Sequence, residues 1–325
     1  MYDVDFGNLP DNANVYESYV VCDDKLNRDY RDKNIMISIS GGADSDIILD
    51  LTTKTRKQNK EKMRYVFFDT GIEYAATKQH IKRLEEKYNI KIEVEKAKTP
   101  VPLGCKKYGL PFLSKQVSEY IERLQAHNFK WENEDFETLY KKYPKCKVAL
   151  RWWCNKWGNK SKFNIGYNKH LKEFMIENPP TFKISNKCCK GAKKDVAKEY
   201  KKAHEIDLSI VGVRKAEGGA RSSIPSCFTE YDDACDEYRP IFWYKGSDKA
   251  DYETFFNIEH SACYTEYGLK RTGCAGCPFG RDFEKELQII EKYEPRLYNA
   301  VNAIFKESYE YTRKYKEFVK QKESE

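Results

Sequence analysis

The sequence predicts an α/β fold built on a parallel sheet, because short apolar runs alternate with segments of helical spacing. Residues 35–39 are uncharged and β-rich, as expected of a strand that is buried on both faces. Residues 65–68 repeat this pattern, and residues 90–94 repeat it again. Strands and helices in alternation form parallel sheets through right-handed crossovers, so the loops after the strands should meet at one edge of the sheet.

Helices are predicted between and after these strands. From Asp44 onwards the apolar residues follow helical spacing, which predicts the first helix. Further helices are predicted at residues 75–88 and 113–127, and the tail from residue 282 should be helical and solvated. Residues 207–213 repeat the pattern of a buried strand. The aromatic and basic stretch between residues 100 and 180 is interpreted as an elaboration of the core.

Composition excludes disordered and membrane-spanning proteins. With 40% hydrophobic and 14% aromatic residues among 325, the chain has enough apolar side chains for a folded core. No apolar run approaches the roughly 20 residues that a membrane-spanning helix needs, and the first ten residues carry no secretory signal. We therefore expect a cytoplasmic protein, and its net charge of +7 suits an anionic substrate.

The loop after the first strand has the composition of a phosphate-binding site. Ser40, Gly41 and Gly42 follow the strand, and Asp44 and Ser45 open the next helix. Glycines let a phosphate approach the backbone closely, hydroxyl groups donate hydrogen bonds, and the amino end of a helix attracts negative charge. The Gly-Lys-Ser/Thr ending of a Walker loop is missing, so the sequence predicts an anion site of another kind.

The run Ser-Gly-Gly-Ala-Asp-Ser at residues 40–45 resembles the phosphate loop of the PP-loop superfamily, the adenine nucleotide alpha-hydrolases. In that superfamily a Ser or Thr comes next, whereas this chain has Asp46. An acidic side chain beside a triphosphate repels it unless a magnesium ion or a rotamer turned away from the phosphates intervenes. The resemblance implies a parallel-sheet PP-loop core that binds ATP here, with Mg²⁺ as the neutralising ion.

Two other strand ends resemble the phosphoadenosine phosphosulfate (PAPS) reductase-like branch of this superfamily. Asp69, Thr70 and Gly71 follow the second strand, like the branch signature that lies beside the nucleotide. Arg214 and Arg221 fall in a GxRxxE…R pattern whose arginines, in that branch, meet phosphate or sulfate groups. Forked guanidinium donors suit such anions, although a polar turn and surface ion pairs would use the same residues. The resemblance therefore implies that these five residues bind the nucleotide.

Four of the eleven cysteines have a spacing that suits a metal centre. Disulfides are rare in a reducing compartment, so clustered thiols there usually bind metals or take part in catalysis. Cys188 and Cys189 are adjacent, and Cys274 and Cys277 form a later CxxC turn. Four thiolates suit either Zn²⁺ or a [4Fe–4S] cluster, and spacing alone does not choose between them. Neighbouring side chains diverge, however, and this favours the separated irons of a cluster.

The same cysteine arrangement resembles the cluster-binding sulfonucleotide reductases and the related DNA phosphorothioation enzymes. The resemblance extends from residue 35 to about residue 279, and it implies that the four cysteines hold a [4Fe–4S] cluster. A second set of residues has spacings that fit no zinc pattern, and the sequence leaves open whether it binds a metal: Cys227, Cys235, His260 and Cys263.

These motifs predict three parts of the chain. Residues 1–30 are interpreted as an N-terminal arm, and residues 31–245 as the PP-loop nucleotide-binding domain. Residues 246–325 are expected to form a C-terminal region that contains the CxxC turn and the helical tail.

The chemistry implied by the resemblance is attack on the α-phosphate of ATP, coupled to sulfur transfer, with Asp44, Ser45 and Arg214 as catalytic residues. Sulfonucleotide reductases that act on PAPS or APS use a cysteine of a C-terminal tail. No cysteine follows Cys277 in this sequence, so reduction is the first alternative. The second alternative is a non-catalytic nucleotide-sensing or nucleic-acid-binding subunit, with Asp46 as the disabling change.

The partners expected from this chemistry are an adenine nucleotide, a sulfur acceptor and a donor protein. The acceptor is either a nucleic acid or a small molecule, and the donor supplies sulfur or electrons. Trp152, Trp153 and Trp157 lie among lysines, a pattern that suits stacking on bases and packing in a core equally.

Overall fold

In the computed structural model, which describes residues 6–232, 234–280 and 282–324, six strands form one sheet. They are β1 (Ile35–Ile39), β2 (Met63–Asp69), β3 (Ile92–Lys96), β4 (Leu208–Val211), β5 (Phe228–Thr229) and β6 (Asp236–Tyr238). Their order across the sheet is β3-β2-β1-β4-β6-β5. The described pairings are parallel, apart from that of β5 with β6. This confirms the predicted α/β fold with a mostly parallel sheet.

The α-helices follow one another along the described residues as α1 (Ala13–Asp24), α2 (Ala43–Thr55), α3 (Ala75–Tyr88), α4 (Val101–Tyr108), α5 (Lys115–Gln125), α6 (Phe136–Lys142), α7 (Lys147–Trp153), α8 (Leu171–Glu177), α9 (Asp195–Ala203), α10 (Gly246–Phe255), α11 (Ala262–Thr265), α12 (Phe283–Tyr293) and α13 (Pro295–Ser324). Within the described ranges, no helix combines the length and apolar character that crossing a membrane requires.

The chain divides into two compact units that interleave along the sequence. The first unit is Met1–Ala97 together with Lys193–Cys274, and it contains the sheet. The second unit is Lys98–Ala192 together with Ala275–Glu325, and it contains α4 to α8, α12 and α13. The three-part division at residues 30 and 245 stays a prediction.

The core of the first unit is built around β1, which lies in the middle of the sheet. Ile35 and Ile37 point to one face, where they join Ile48 of α2 in the main apolar cluster. Met36 points to the other face and joins Val66 of β2 in a smaller cluster. Each fully buried aliphatic side chain of this size stabilises the fold by about 1.5–3 kcal/mol. Burial on both faces explains why the strand reads as a continuous apolar run.

The N-terminal segment contains a helix that its sequence did not predict. The Asn12 side chain accepts hydrogen bonds from the backbone N–H groups of Asn14 and Val15, which caps α1. Val15, Tyr19 and Cys22 are buried against the first unit's core. Their spacing of four and three residues is helical, but polar neighbours hide it. Residues 13–24 therefore form a helix that packs in the core of the first unit.

The predicted element bounds match the structure at β1 and α3 and differ by one or two residues at β2, β3, β4 and α5. The strand at residues 35–39 and the helix at residues 75–88 occur as predicted. The third strand begins at Ile92 instead of Ile90. Asn89 adopts a left-handed conformation at the end of α3, and the Ile90 N–H donates to the Glu85 carbonyl. Ile90 therefore belongs to the end of the helix.

The second unit has an aromatic core. Trp152 and Trp153 are almost fully buried, and the indole N–H of Trp153 donates to a backbone carbonyl at 2.9 Å. Phe174 packs between Tyr311 and Tyr315 of α13, with ring centroids 5.0 and 5.3 Å away. Of the two uses considered for the tryptophans, the structure therefore shows core packing for Trp152 and Trp153.

Candidate phosphate loop and cysteine cluster

Gly41 gives the loop between β1 and α2 its shape. Its φ of +65° is a left-handed conformation that glycine adopts without strain. A Cβ at this position would lie 2.7 Å from Cγ2 of Thr77, which is too close for ordinary contact. The backbone of the loop is therefore packed directly against α3, and Ser40 and Gly42 are held beside the start of α2.

Ser45 holds the loop together from the inside. Its hydroxyl donates to the Gly42 carbonyl at 2.7 Å. It accepts from the N–H groups of Ser40 at 3.2 Å and Gly42 at 3.1 Å. Because Ser45 is only 4% exposed, its observed contacts organise the backbone, and its catalytic role stays a prediction.

Asp44 brings two cations to the first turn of α2. Its carboxylate accepts from Arg214 Nε at 2.9 Å and lies 3.1 Å from Lys249 Nζ. Arg214 was predicted here, whereas Lys249 of α10 was missed because no motif contains it. Gly212 permits this approach, since a Cβ there would lie 2.9 Å from the Asp44 carbonyl oxygen. Positive side chains therefore lie at a helix start that already favours anions.

Asp46, the departure from the superfamily pattern, is 1% exposed, hydrogen bonds to His260 and lies beside His80. One oxygen of its carboxylate lies 3.1 Å from His80 Nε2 and 2.8 Å from His260 Nδ1. The carboxylate is thus engaged inside the first unit. Repulsion between Asp46 and a triphosphate can be reduced in two ways: by a magnesium ion, or by a rotamer turned away from the phosphates. In the structure the side chain adopts a rotamer that contacts other partners.

His260 connects Asp46 to a second carboxylate. Its Nε2 lies 2.8 Å from Glu253 Oε1, and Glu253 also pairs with Lys249 at 3.5 Å. Burial lowers the pKa of His260, but the hydrogen bonds to Asp46 and Glu253 outweigh burial and raise it to about 9. A chain of ionic contacts therefore runs from Arg214 and Asp44 to Asp46.

The loop after β2 is ordered by its own side chains. Asp69 accepts from the Gly71 N–H at 2.8 Å and pairs with Lys78 at 2.8 Å. Burial raises the pKa of Asp69, but these two contacts bring it below its usual value. Thr70 is fully buried and donates to Glu73 Oε1 at 2.6 Å. The signature therefore folds as a capped turn, and its contact with a nucleotide stays a prediction.

Arg221 lies in a short helical turn that follows Arg214. Its guanidinium group hydrogen bonds to Glu217, whose other carboxylate oxygen accepts from the Arg214 N–H at 3.3 Å. The Arg221 side chain is 39% exposed, and this leaves it accessible to a ligand. Both arginines of the GxRxxE…R pattern are thus tied to its glutamate.

Several thiols of the second unit lie close together. Cys188 is 3% exposed, and its thiol hydrogen bonds with those of Cys105 and Cys189. The Cys105 contact, together with burial and the nearby Cys277, raises the pKa of Cys188 despite an opposing bond from Cys189. Cys105 belongs to no cysteine motif, so sequence reasoning missed it. A Cβ at Gly104 would lie 3.2 Å from Cys188 Cα, so α4 packs tightly against the cysteine pair.

The CxxC turn is fixed by contacts on both sides of Gly276, whose φ is +59°. The Gly276 N–H donates to Glu286 Oε1 at 3.1 Å, and its carbonyl accepts from the Tyr309 hydroxyl. Cys277 follows this turn in the second unit, whereas Cys274 ends the first unit. There the Cys274 thiol donates to Thr70 Oγ1 at 3.5 Å.

Iron–sulfur clusters and zinc ions are both bound by cysteine sulfur atoms, so the cysteines present fit either group. Across residues 6–232, 234–280 and 282–324, however, no three His, Cys, Asp or Glu side chains stand in a metal-binding arrangement.

The sequence of this chain matches a protein-family model over most of its length. The model described as the phosphoadenosine phosphosulfate reductase domain matches residues 34–279, which is more than half of the chain. The chain belongs to this family. The matched range contains β1 to β6, the phosphate loop and the four predicted cluster cysteines of this PAPS reductase domain. A search of curated proteins finds no match.

Three solved structures are similar to this PAPS reductase domain. The PAPS reductase of Candida auris, a phosphate complex, is 14% identical over 74% of this chain and 81% of its own, with a TM-score of 0.39. The NH₃-dependent NAD synthetase of Campylobacter jejuni subsp. jejuni, in complex with nitrate, is 12% identical over 91% of this chain and 93% of its own, with a TM-score of 0.35. The U34-tRNA thiolase of Methanococcus maripaludis, with its [4Fe-4S] cluster, is 14% identical over 94% of this chain and 79% of its own, with a TM-score of 0.38.

The second candidate metal set of the PAPS reductase domain is not assembled in the structure. His260 contacts Asp46 and Glu253, whereas Cys263 is buried against Thr77 Oγ1 at 3.6 Å. Cys235 donates to a neighbouring backbone carbonyl at 3.3 Å, and burial raises its pKa to about 11. Together with Cys227, these residues form no metal-binding group within the described ranges.

Proposed function

We propose that this PAPS reductase domain binds ATP at residues 40–45 and catalyses attack on its α-phosphate, coupled to sulfur transfer. The observation that carries this proposal is the first turn of α2. There Arg214 and Lys249 meet Asp44 at 2.9 and 3.1 Å, and the exposed Ser40 precedes the helix. Backbone N–H groups and two cations form a site that suits a polyphosphate.

In the proposed reaction, an oxygen of the acceptor attacks the α-phosphorus. The bond from that phosphorus to the bridging oxygen breaks, pyrophosphate leaves, and the acceptor proton passes to solvent or a base. The loop N–H groups would hold the departing pyrophosphate, and Arg214 would stabilise the charge that develops on it. Asp44 would orient Arg214 and Lys249, and Mg²⁺ would neutralise the triphosphate.

We also propose, from the sequence pattern, that Cys188, Cys189, Cys274 and Cys277 hold a [4Fe–4S] cluster. When bound, such a cluster would supply electrons or an iron that carries sulfur. The buried Cys188 and the fixed turn at Gly276 would present their thiolates from backbone that is already ordered. The activated acceptor would be a nucleic acid or a small molecule, and a donor protein would supply sulfur or electrons.

Release of pyrophosphate from ATP tests the proposed reaction. The protein is purified anaerobically and incubated with ATP and Mg²⁺, with and without candidate acceptors such as tRNA, DNA and small thiols. We expect pyrophosphate release that Arg214→Gln reduces by about tenfold or more, since one charge-assisted contact is worth about 1.5–3 kcal/mol. Arg221→Gln is the matched comparison at a more exposed arginine.

Two other results would replace the proposal. Turnover of PAPS or APS to sulfite, without pyrophosphate release from ATP, would make the protein a sulfonucleotide reductase. Binding of ATP without turnover, under every acceptor condition, would make it a nucleotide-sensing or nucleic-acid-binding subunit.

A further inference from the structure

The pair of carboxylates in the first turn of α2 has unequal surroundings. Asp44 is 17% exposed and meets two permanent cations, Arg214 and Lys249. Asp46 is 1% exposed, and the groups that reach its carboxylate are the imidazoles of His80 and His260. A buried carboxylate without a positive partner weakens any nearby anion site, because charges interact strongly at low dielectric. The charge state of these imidazoles therefore matters to a phosphate loop.

The surroundings of His260 favour a positive charge on its imidazole ring. It lies between two carboxylates, with Nδ1 2.8 Å from Asp46 Oδ2 and Nε2 2.8 Å from Glu253 Oε1. A neutral imidazole has one N–H and donates only one hydrogen bond, whereas an imidazolium donates both. If both carboxylates are ionised and accept, only the charged form satisfies the two ring nitrogens at once.

The other groups around this pair come from each neighbouring element. Asp46 belongs to α2, and His80 of α3 approaches its carboxylate, whereas the Tyr88 hydroxyl of α3 donates to Asp50 at 3.0 Å. Glu253 and its partner Lys249 belong to α10, and the Tyr264 ring of α11 lies 5.7 Å from the imidazole. Within the described residues, the second oxygen of Asp46 has no hydrogen-bond partner. Its compensation therefore rests on the oxygen that His260 and His80 share.

We propose that His260 is a positioning residue of the phosphate loop: as an imidazolium bridging Asp46 and Glu253, it holds and neutralises the carboxylate that stands where the superfamily has Ser or Thr. The proposal rests on the proposed anion binding at residues 40–45. It extends that proposal by assigning to this chain a histidine that makes Asp46 compatible with a bound polyphosphate.

The pH dependence follows from the charge on His260. Its raised pKa of about 9 means that the imidazolium is present at neutral pH and is lost as the pH rises through about 9. Its contribution to stability is complete below the unfolded value of 6.5 and disappears over the same upper range. Affinity for a polyphosphate should therefore fall between about pH 8 and pH 10.

A double-mutant cycle tests the assignment. His260→Gln keeps a polar side chain but cannot carry charge, and Asp46→Ser installs the side chain type of the superfamily pattern. The four proteins are titrated by calorimetry with two probes, ATP and inorganic pyrophosphate, at pH 7 and pH 10. His127→Gln, at an exposed histidine of the second unit, is the matched control. Thermal unfolding reports whether each variant folds.

We expect His260→Gln to weaken binding of both probes by about tenfold at pH 7 and to abolish the loss of affinity above pH 9. Adding Asp46→Ser should restore most of that loss, because the carboxylate that needed compensation is gone. His127→Gln should bind like the wild type. If the double variant binds as weakly as His260→Gln, or if wild-type affinity is flat from pH 7 to pH 10, the positioning role is wrong.

The probes separate this proposal from the proposed function. Wild-type binding of pyrophosphate without binding of ATP would overturn the proposed ATP chemistry, and the cycle would still judge His260 on pyrophosphate. Binding of neither probe would overturn both proposals. A His260→Gln variant that unfolds is replaced by Glu253→Gln, which removes the second carboxylate and should lower the pH at which affinity is lost.

Discussion

The two units of the molecule differ in how their candidate residues are held. In the first unit the loop and its charged neighbours are fixed by hydrogen bonds and ion pairs between 2.7 and 3.2 Å, such as those of Ser45 and Asp44. In the second unit the thiols of Cys105, Cys188 and Cys189 contact one another beside a tightly packed helix. The candidate phosphate loop is thus ordered by polar contacts of its own, whereas the cysteines are held by packing and by thiol contacts.

The units also differ in their cores. Aliphatic residues of strands and helices predominate in the first, whereas aromatic rings, including two tryptophans, make up a larger share of the second. The spacing of aliphatic residues along the sequence follows the period of each helix or strand. The packing of aromatic rings depends on how segments that are distant in the sequence fit together.

Cys188→Ser should remove almost all iron from the anaerobically purified protein. The variant loses the most buried of the predicted ligands, and a hydroxyl group replaces a thiolate poorly at iron. Iron and acid-labile sulfide are measured by colorimetric assay, and zinc by atomic absorption. Cys146→Ser is the matched control, since Cys146 is also buried in the second unit. Equal iron in both variants, or zinc without sulfide in the wild type, would contradict the cluster proposal.

Trp153→Ala should lower the free energy of unfolding by about 3–5 kcal/mol, because it leaves a large cavity in the aromatic core. Trp153 is fully buried and packs edge-on against Phe129 at 5.4 Å. Urea denaturation followed by circular dichroism measures the effect. Trp157→Ala, at a half-buried ring, should cost much less. Similar losses in the two variants would show that the aromatic core is not specifically packed.

Gly41→Ala should weaken ATP binding by about tenfold or more, because the new Cβ must displace Thr77 and move the loop backbone. Calorimetric titration with ATP measures the change. Gly268→Ala is the control for backbone strain: its φ is +69°, but a Cβ there meets nothing within 4 Å. If both variants bind ATP like the wild type, the loop is not the nucleotide site.

Asp69→Asn should have the smallest effect, about 1 kcal/mol or less at pH 7, since the lost partner Lys78 is exposed. The pKa of Asp69 is lowered in the folded protein, so its contribution is present above the unfolded value of 3.8. The stability difference from the wild type should therefore shrink as the pH falls below about 3.8. A difference that persists at pH 2 would exclude the ion pair as its cause.

Local periodicity was sufficient to predict the first four strands and the helices α2 and α3 of the first unit, but not its other elements. The run at residues 35–39 and the helical spacing at residues 75–88 match β1 and α3, because each element's own neighbours determine its burial pattern. Helix α1 was missed because its stripe of Val15, Tyr19 and Cys22 is narrow. The interleaving of the two units was also missed, since it depends on contacts between distant segments.

Motif spacing predicted the strand-end residues of the site but not their partners. Ser40 and Gly41 were singled out because a phosphate loop has them in a fixed local order, and Arg214 because it stands in the GxRxxE…R pattern. Lys249 and His260 come from α10 and the segment after it, and no local pattern connects them to residues 44 and 46. The one sequence feature that indicated such a partner was Asp46, because an acidic residue buried at that position requires a positive partner.

The most direct test of the proposed nucleotide site is an anaerobic crystal structure with Mg²⁺ and a non-hydrolysable ATP analogue. We predict density for the triphosphate against the backbone of residues 40–45, with Arg214 or Lys249 within hydrogen-bond distance of a phosphate oxygen. Density for the nucleotide elsewhere on the protein, with the loop and Asp44 in their present contacts, would contradict the proposed site.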